Sequence, residues 1–101
     1  MAYEQGPFLA ALGAASGNDP ALLAELREAF IDSVERQLDL LTRARCDGNW
    51  RVAAGRLHAI AGSFHVEELR SLAEAALIAA PGEPTVIASL KTLTRELRTL
   101  D

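Results

Sequence analysis

The sequence predicts an all-α fold, an antiparallel up-down-up-down four-helix bundle with a short N-terminal helix that caps one end. Half of the 101 residues are hydrophobic and only five are aromatic, and this composition, dominated by alanine and leucine, favours helices over strands. Apolar residues recur every three to four positions in four long segments, which is the period of a helix face. Short turns between these segments predict antiparallel neighbours. The length suits one hydrophobic core, so residues 1–101 are interpreted as a single domain.

A short helix is predicted first, over residues 6–15. Phe8, Leu9 and Leu12 are spaced for one side of this helix, and the turn Ser16-Gly17-Asn18 ends it. A helix of this length is marginal by itself in water. We therefore expect it to act as a lid on the end of the bundle, with a dedicated partner-binding element as the alternative.

The second helix is predicted to be the longest, over residues 20–45. Asp19 can cap its start, and Pro20 suits the first helical position because no amide bond is lost there. Its apolar stripe comprises Leu22 or Leu23, Leu26, Phe30, Val34, Leu38 and Leu41. Two opposite-charge pairs, each four residues apart, are predicted on its exposed side: Asp32 with Arg36, and Asp39 with Arg43.

Three further helices complete the bundle. Asp47 or Asn49 can cap the third, which is predicted over residues 49–64, and the fourth is predicted from about Val66 to a stop before Pro81. The fifth opens at Pro84. The apolar stripes of the third and fourth helices are Trp50, Ala53, Leu57, Ile60 and Phe64, and then Val66, Leu69, Leu72, Ala73, Ala76 and Leu77. The stripe of the fifth is Val86 or Ile87, Leu90, Leu93, Leu97 and Leu100.

Composition argues against several classes of function. The formal charge is −4 and the basic residues are spread along the chain, whereas nucleic-acid binding needs a concentrated positive surface. The single Cys46 cannot form an internal disulfide, and no spacing of cysteine and histidine resembles a metal site. No apolar run approaches the roughly 20 residues that span a bilayer. We expect a monomeric cytoplasmic protein that binds neither nucleic acid nor membranes.

The segment 54–62 places His58 among the smallest residues available. If the segment is helical, the neighbours of His58 at three and four residues before and after it are alanine or glycine: Ala54, Gly55, Ala61 and Gly62. Each glycine in a helix interior costs about 0.8 to 1.0 kcal/mol relative to alanine, so close approach by another body would explain them. The apolar stripe points well away from His58, which predicts that the imidazole lies on the solvent face.

This segment resembles a known family. L-H-A-I-A-G-S-F, followed by V-E-E-L-R-S-L-A-E-A, is similar to the core of a histidine phosphotransfer (HPt) domain, whose usual pattern is H-x-x-K-G, a short turn and a leucine-rich helix. The upstream segment F-I-D-S-V-E-R-Q-L-D-L-L-T-R-A-R-C-D-G-N-W resembles the preceding helix and turn. The resemblance covers roughly residues 30–76. The family lysine is replaced by Ala61, and about three residues of the usual turn are missing before His65.

The resemblance implies that His58 accepts a phosphoryl group and relays it between receiver-domain aspartates in a multistep phosphorelay. A histidine side chain ordinarily has a pKa of about 6.5, so a neutral imidazole can attack phosphorus without a neighbouring base. The implied partner is a response-regulator receiver domain, a hybrid histidine kinase, or both. The receiver would supply the Mg²⁺, so no cofactor is expected on this chain. We expect a phosphocarrier rather than a stand-alone enzyme.

Several residues are expected to assist His58. Reflection about the turn places Gln37 beside the imidazole, where its amide could bond the ring or a phosphoryl oxygen, and Arg51 lies two turns upstream at nearly the same angle. Alternatively, both are simply solvated. The expected receiver-docking surface comprises Ala54, Gly55, Ala61, Gly62 and His65, although His65 could instead cap the next helix. The competing function is a phosphorylation-independent binding module that docks a receiver or kinase domain through the same patch.

Overall fold

The structure is a computed structural model that describes residues 6–99. These residues form five α-helices and no strand, so the all-α prediction is confirmed. The helices are α1 (Gly6–Ser16), α2 (Pro20–Arg43), α3 (Asp47–Phe64), α4 (Glu67–Ile78) and α5 (Pro84–Arg98). None of them combines the length and the apolarity that crossing a membrane requires.

Side-chain caps fix two of the helix starts. Asp19 Oδ1 accepts hydrogen bonds from the backbone amides of Ala21 and Leu22, at 3.0 and 3.4 Å, and Pro20 occupies the first helical position as predicted. Glu83 Oε1 likewise accepts from the amide of Val86 at 3.0 Å at the start of α5. Both caps satisfy amides that have no partner within their own helix.

Helix α3 ends at Phe64 as predicted but differs from the prediction at its start. It begins two residues early, because Cys46 has an extended backbone and its carbonyl already accepts from the Trp50 amide at 3.1 Å. Asp47 and Asn49 therefore lie within the first turn. Neither is the N-cap that the sequence predicted, because Cys46 occupies that position. At the other end, His65 adopts the left-handed conformation, with φ 59° and ψ 41°, and terminates α3. His65 thus ends its own helix rather than capping α4, whose N-cap is Val66.

One hydrophobic core joins the five helices. Phe8 of α1 packs against Phe30 of α2 at a ring-centroid distance of 4.8 Å, and Phe30 packs against Phe64 of α3 at 4.9 Å. Helix α3 packs against α2 and α4, and α5 packs against the same two helices. The predicted apolar stripes supply most of the buried residues, while Leu100 lies outside the described residues.

Polar contacts tie α5 to α2. Arg98 lies 3.0 Å from Glu28, 3.3 Å from Asp32 and 2.9 Å from Glu35. Asp32 thus pairs with Arg98 rather than with Arg36, because the forked guanidinium reaches three carboxylates of the neighbouring helix at once. The other predicted pair, Asp39 with Arg43, is confirmed at 3.0 Å.

A buried indole holds α3 against α4. Trp50 is 1% exposed, and its Nε1–H donates to the carbonyl oxygen of Ala76 at 2.6 Å. Ala54 and Ala61 of α3 are buried and lie between Trp50 and His58 around the helix, the two residues that bond to α4, and Ala73 of α4 is also buried. Short side chains let two helix backbones approach closely, so this part of the sequence fixes the position of His58 relative to α4.

Candidate functional site around His58

His58 lies at the edge of the buried surface of α3, not in the middle of its solvent face. Its side chain is 38% exposed, whereas Ala54 and Ala61 are 0% and 1% exposed. The two alanines, predicted as part of the docking surface, are therefore buried. The physical reason is that α3 packs on α4 as well as on α2, and that Ala54 and Ala61 lie around the helix between Trp50 and His58, which both bond to α4.

The two glycines flank the other side of His58. Gly62 is exposed and Gly55 is partly exposed. Among the residues that the structure describes, a Cβ atom built on either glycine would meet no heavy atom within 4 Å outside its own local helix. Close packing inside the chain therefore explains Ala54 and Ala61 but neither glycine. The open strip made by Gly55 and Gly62 beside His58 is called the glycine strip below.

His58 belongs to a chain of charged side chains that continues along α4. Its Nε2 lies 3.1 Å from Oε2 of Glu74, and the same oxygen accepts from Nη1 of Arg70 at 2.8 Å. Arg70 in turn donates from Nε and Nη2 to Glu67, with a shortest distance of 2.7 Å. These four residues, called the His58 network, join α3 to α4 beside the glycine strip.

The electrostatics of the network follow from these contacts. The hydrogen bonds from Arg70 lower the pKa of Glu67, and the same contact raises the pKa of Arg70. All four side chains are at least a third exposed, since the values are 38% for His58, 50% for Glu74, 39% for Arg70 and 66% for Glu67. Water therefore screens the attraction within each pair. The network orients its four side chains more than it stabilises the fold.

The contact with Glu74 also determines which imidazole nitrogen can react. An ionised carboxylate only accepts hydrogen bonds, so Nε2 donates its proton to Glu74 in this arrangement. The lone pair of a neutral ring is then on Nδ1. Attack through Nε2 requires that the proton move to the other nitrogen and that the Glu74 carboxylate leave its position.

Gln37 and Arg51 are not bonded to His58. Gln37 is half-buried and its Oε1 has no hydrogen-bond partner in the described residues, so this oxygen does not make the predicted contact with the imidazole. The reason is that His58 turns toward α4, where Glu74 is its partner, rather than toward α2. Arg51 is exposed, and its guanidinium pairs with no carboxylate among residues 6–99. His65 is exposed at the end of α3.

Sequence reasoning missed Glu74 and Arg70. The available signal was the spacing of Glu67, Arg70 and Glu74, which places alternating charges three and four residues apart on one face of α4. The link from that face to His58 spans 16 residues and depends on how α3 packs on α4. Over the described part of the chain, no group of three or more His, Cys, Asp or Glu side chains is placed to hold a metal ion.

Comparisons with protein-family models, with curated proteins and with solved structures found no match for this chain.

Proposed function

We propose that this chain is an HPt-like phosphocarrier, in which His58 relays a phosphoryl group between receiver-domain aspartates in a multistep phosphorelay. The observation that carries the proposal is a partly exposed histidine within α3, beside two glycines that no contact within residues 6–99 requires. An exposed imidazole supplies the nucleophile, and a surface without side chains lets a second domain approach it. The proposed location is the cytoplasm, as a monomer.

An antiparallel up-down-up-down order of α2 to α5, with α1 over one end, is part of this proposal. Trp50, near the start of α3, contacts Ala76, near the end of α4. Arg98, the last residue of α5, contacts Glu28 in the first half of α2. Such contacts between opposite ends of neighbouring helices support opposite directions, as in bundles with short connections.

The proposed reaction needs little from the chain beyond position. The lone pair of an imidazole nitrogen of His58 attacks the phosphorus of an aspartyl phosphate on the receiver. A nitrogen–phosphorus bond forms, the bond between phosphorus and the aspartate oxygen breaks, and its electron pair stays on the carboxylate. The receiver contributes the Mg²⁺ that stabilises the charge on the phosphoryl oxygens, since phosphoryl transfer depends mainly on positioning and charge stabilisation. The reverse reaction passes the group to the next receiver.

The docking surface is narrower than the sequence predicted. Its accessible members are Gly62 and His65, which are exposed, and Gly55, which is partly exposed, with Arg51 as an exposed cation two turns before His58. Ala54 and Ala61 lie beneath this surface and contribute by keeping α3 close to α4. The proposed partner is a receiver domain of a response regulator or of a hybrid histidine kinase.

One observation favours the alternative of a phosphorylation-independent binding module. The Glu74 carboxylate is hydrogen-bonded to Nε2 of His58. In addition, the residue at the position of the family lysine is Ala61, which is buried. In that case the glycine strip binds the partner while the imidazole serves only to hold the network. The two functions share a docking surface but differ in their dependence on His58.

The deciding experiment compares two histidine variants in phosphotransfer. The parent chain, His58→Gln and His65→Gln are each incubated with a set of phosphorylated receiver domains, and acid-labile, base-stable phosphate on the chain is measured. We expect labelling of the parent and of His65→Gln, no labelling of His58→Gln, and unchanged helix content in all three. Mass spectrometry that places the phosphate on His65, or finds none in the parent with any receiver, would reject the relay and favour the binding module.

A further inference from the structure

One carboxylate oxygen of Glu74 accepts hydrogen bonds from two side chains that lie on different helices. Oε2 lies 3.1 Å from Nε2 of His58 and 2.8 Å from Nη1 of Arg70. The guanidinium and the imidazole are thus joined through a single atom. Movement of the Glu74 carboxylate would leave both a free imidazole nitrogen and a free guanidinium N–H at the same place.

A phosphoryl group on Nε2 is incompatible with the observed position of Glu74. The new phosphorus would occupy the space where Oε2 now accepts the hydrogen bond. A phosphoryl group also carries close to two negative charges, and like charges a few ångströms apart repel each other. Phosphorylation at this nitrogen therefore requires the carboxylate to leave.

Arg70 is arranged to stay when Glu74 leaves. Its Nε and Nη2 donate to Glu67, the latter at 2.7 Å, while only Nη1 donates to Glu74. The contact with Glu67 keeps the guanidinium in place after the contact with Glu74 is lost. A guanidinium has five N–H donors in a planar fork that matches phosphate oxygens, so Arg70 can bond a phosphoryl group without giving up Glu67.

We propose that phosphorylation of His58 at Nε2 exchanges partners within the His58 network: the Nε2 proton moves to Nδ1, Glu74 releases Nε2, and Arg70 transfers its Nη1 donor from Glu74 to the phosphoryl group. Arg70 thereby supplies, from α4, the positive charge that Ala61 cannot supply from α3. Glu67 is the positioning residue that holds the guanidinium, and Glu74 is the resting partner that competes with the phosphoryl group. This inference rests on the proposed function, because it assigns the groups that act at the same histidine.

The test uses phosphoramidate, a small phosphoryl donor that requires no receiver domain. The rate at which phosphohistidine forms on His58 and its lifetime after removal of the donor are followed by phosphorus NMR and intact mass. The variants are Glu74→Gln, Arg70→Gln, the double variant and Arg70→Lys. Arg98→Gln is the matched control. The side chain of Arg98 is 40% exposed, against 39% for Arg70, and it also pairs with several carboxylates. Those carboxylates lie on α2 and do not belong to the His58 network. Circular dichroism establishes that each variant is folded.

We expect Glu74→Gln to speed phosphohistidine formation and Arg70→Gln to shorten its lifetime, each about two- to five-fold, the range for exposed charge pairs. In the Glu74→Gln background, Arg70→Gln should still shorten the lifetime, because Arg70 then acts on the phosphoryl group itself. Arg70→Lys should restore part of the lifetime, and Arg98→Gln should match the parent.

Several results would overturn the exchange. These are an unchanged formation rate in Glu74→Gln, a double variant with the same lifetime as Glu74→Gln alone, or no label on His58 in any chain. The relay is judged separately. In one outcome, receiver domains transfer no phosphate to a chain whose phosphohistidine forms from phosphoramidate, and decays, at the rates expected above. That result would reject the relay and still support the exchange. Normal receiver transfer with equal lifetimes in Arg70→Gln and Arg98→Gln would reject only the exchange.

Discussion

Gly55 offers the clearest test of why the glycine strip exists. It lies in the middle of α3 with helical geometry, and within the described part of the chain an added Cβ meets no heavy atom within 4 Å outside the local helix. Gly55→Ala should therefore gain the full helix propensity of alanine, about 0.8 to 1.0 kcal/mol in the free energy of unfolding. For a domain of this size that corresponds to a rise of about 4 to 8 °C in Tm. Thermal and urea unfolding followed by circular dichroism measure both quantities.

Gly82 provides the matched control. An added Cβ at Gly82 also meets no heavy atom within 4 Å, but φ is +84°. Alanine is strained in that conformation, so Gly82→Ala should destabilise the chain by about 1 to 2 kcal/mol. An added Cβ has room at both positions, so changes of opposite sign in the free energy of unfolding would come from the backbone conformation. A Gly55→Ala variant no more stable than the parent would refute the claim that this glycine has no internal purpose.

The same position separates stability from binding. Gly55→Leu adds a Cβ that has room among the described residues, and it places a large side chain on the proposed docking surface beside His58. We expect it to fold at least as well as the parent and to lose binding to receiver domains, which isothermal titration would detect. Gly62→Leu should behave similarly, with a smaller change in stability because Gly62 lies in the last turn of α3. Undiminished receiver binding by both variants would contradict the assignment of the glycine strip as a docking surface.

Two further predictions concern the contacts that hold α3 and α4. Trp50→Phe loses the indole N–H that donates to Ala76 and leaves part of a buried volume empty. The free energy of unfolding should therefore fall by about 2 kcal/mol. An unchanged midpoint in urea unfolding would contradict this. Because Arg70 lowers the pKa of Glu67 in the folded chain, this pair adds stability above the ordinary glutamate pKa of about 4.3, and that stability is lost as the pH falls below it. Glu67→Gln should therefore lose less stability than the parent between pH 7 and about pH 3 at low salt, and parallel pH profiles would exclude a contribution from the pair.

Much of the fold follows from local signals in the sequence. The Asp19 cap followed by Pro20 defines the start of α2 from a few adjacent residues, and the structure contains both. Apolar periodicity likewise predicted the buried residues of α2, such as Phe30 and Val34. These features are predictable because hydrogen bonds within one turn and one buried stripe per helix depend on neighbouring residues only.

The errors concern features that depend on two neighbouring helices at once. Ala54 and Ala61 were expected at the surface because alanine gives no clear sign of burial, yet the packing of α4 covers both. Asp32 had a suitable partner in its own helix, but the three-carboxylate contact of Arg98 draws it across to α5. Glu74 was missed because nothing in the sequence states which helix the imidazole of His58 faces.

The burial of Trp50 gives the α3–α4 contact an optical signal. Trp50 is the only tryptophan in the chain, and its indole is almost completely enclosed and donates to a carbonyl of the facing helix. Emission from an enclosed indole lies at shorter wavelength than emission from one in water. Fluorescence of the unlabelled chain therefore reports any separation of α3 from α4. The separation that would pull His58 away from Glu74 can be followed in this way without attaching a probe to the docking surface.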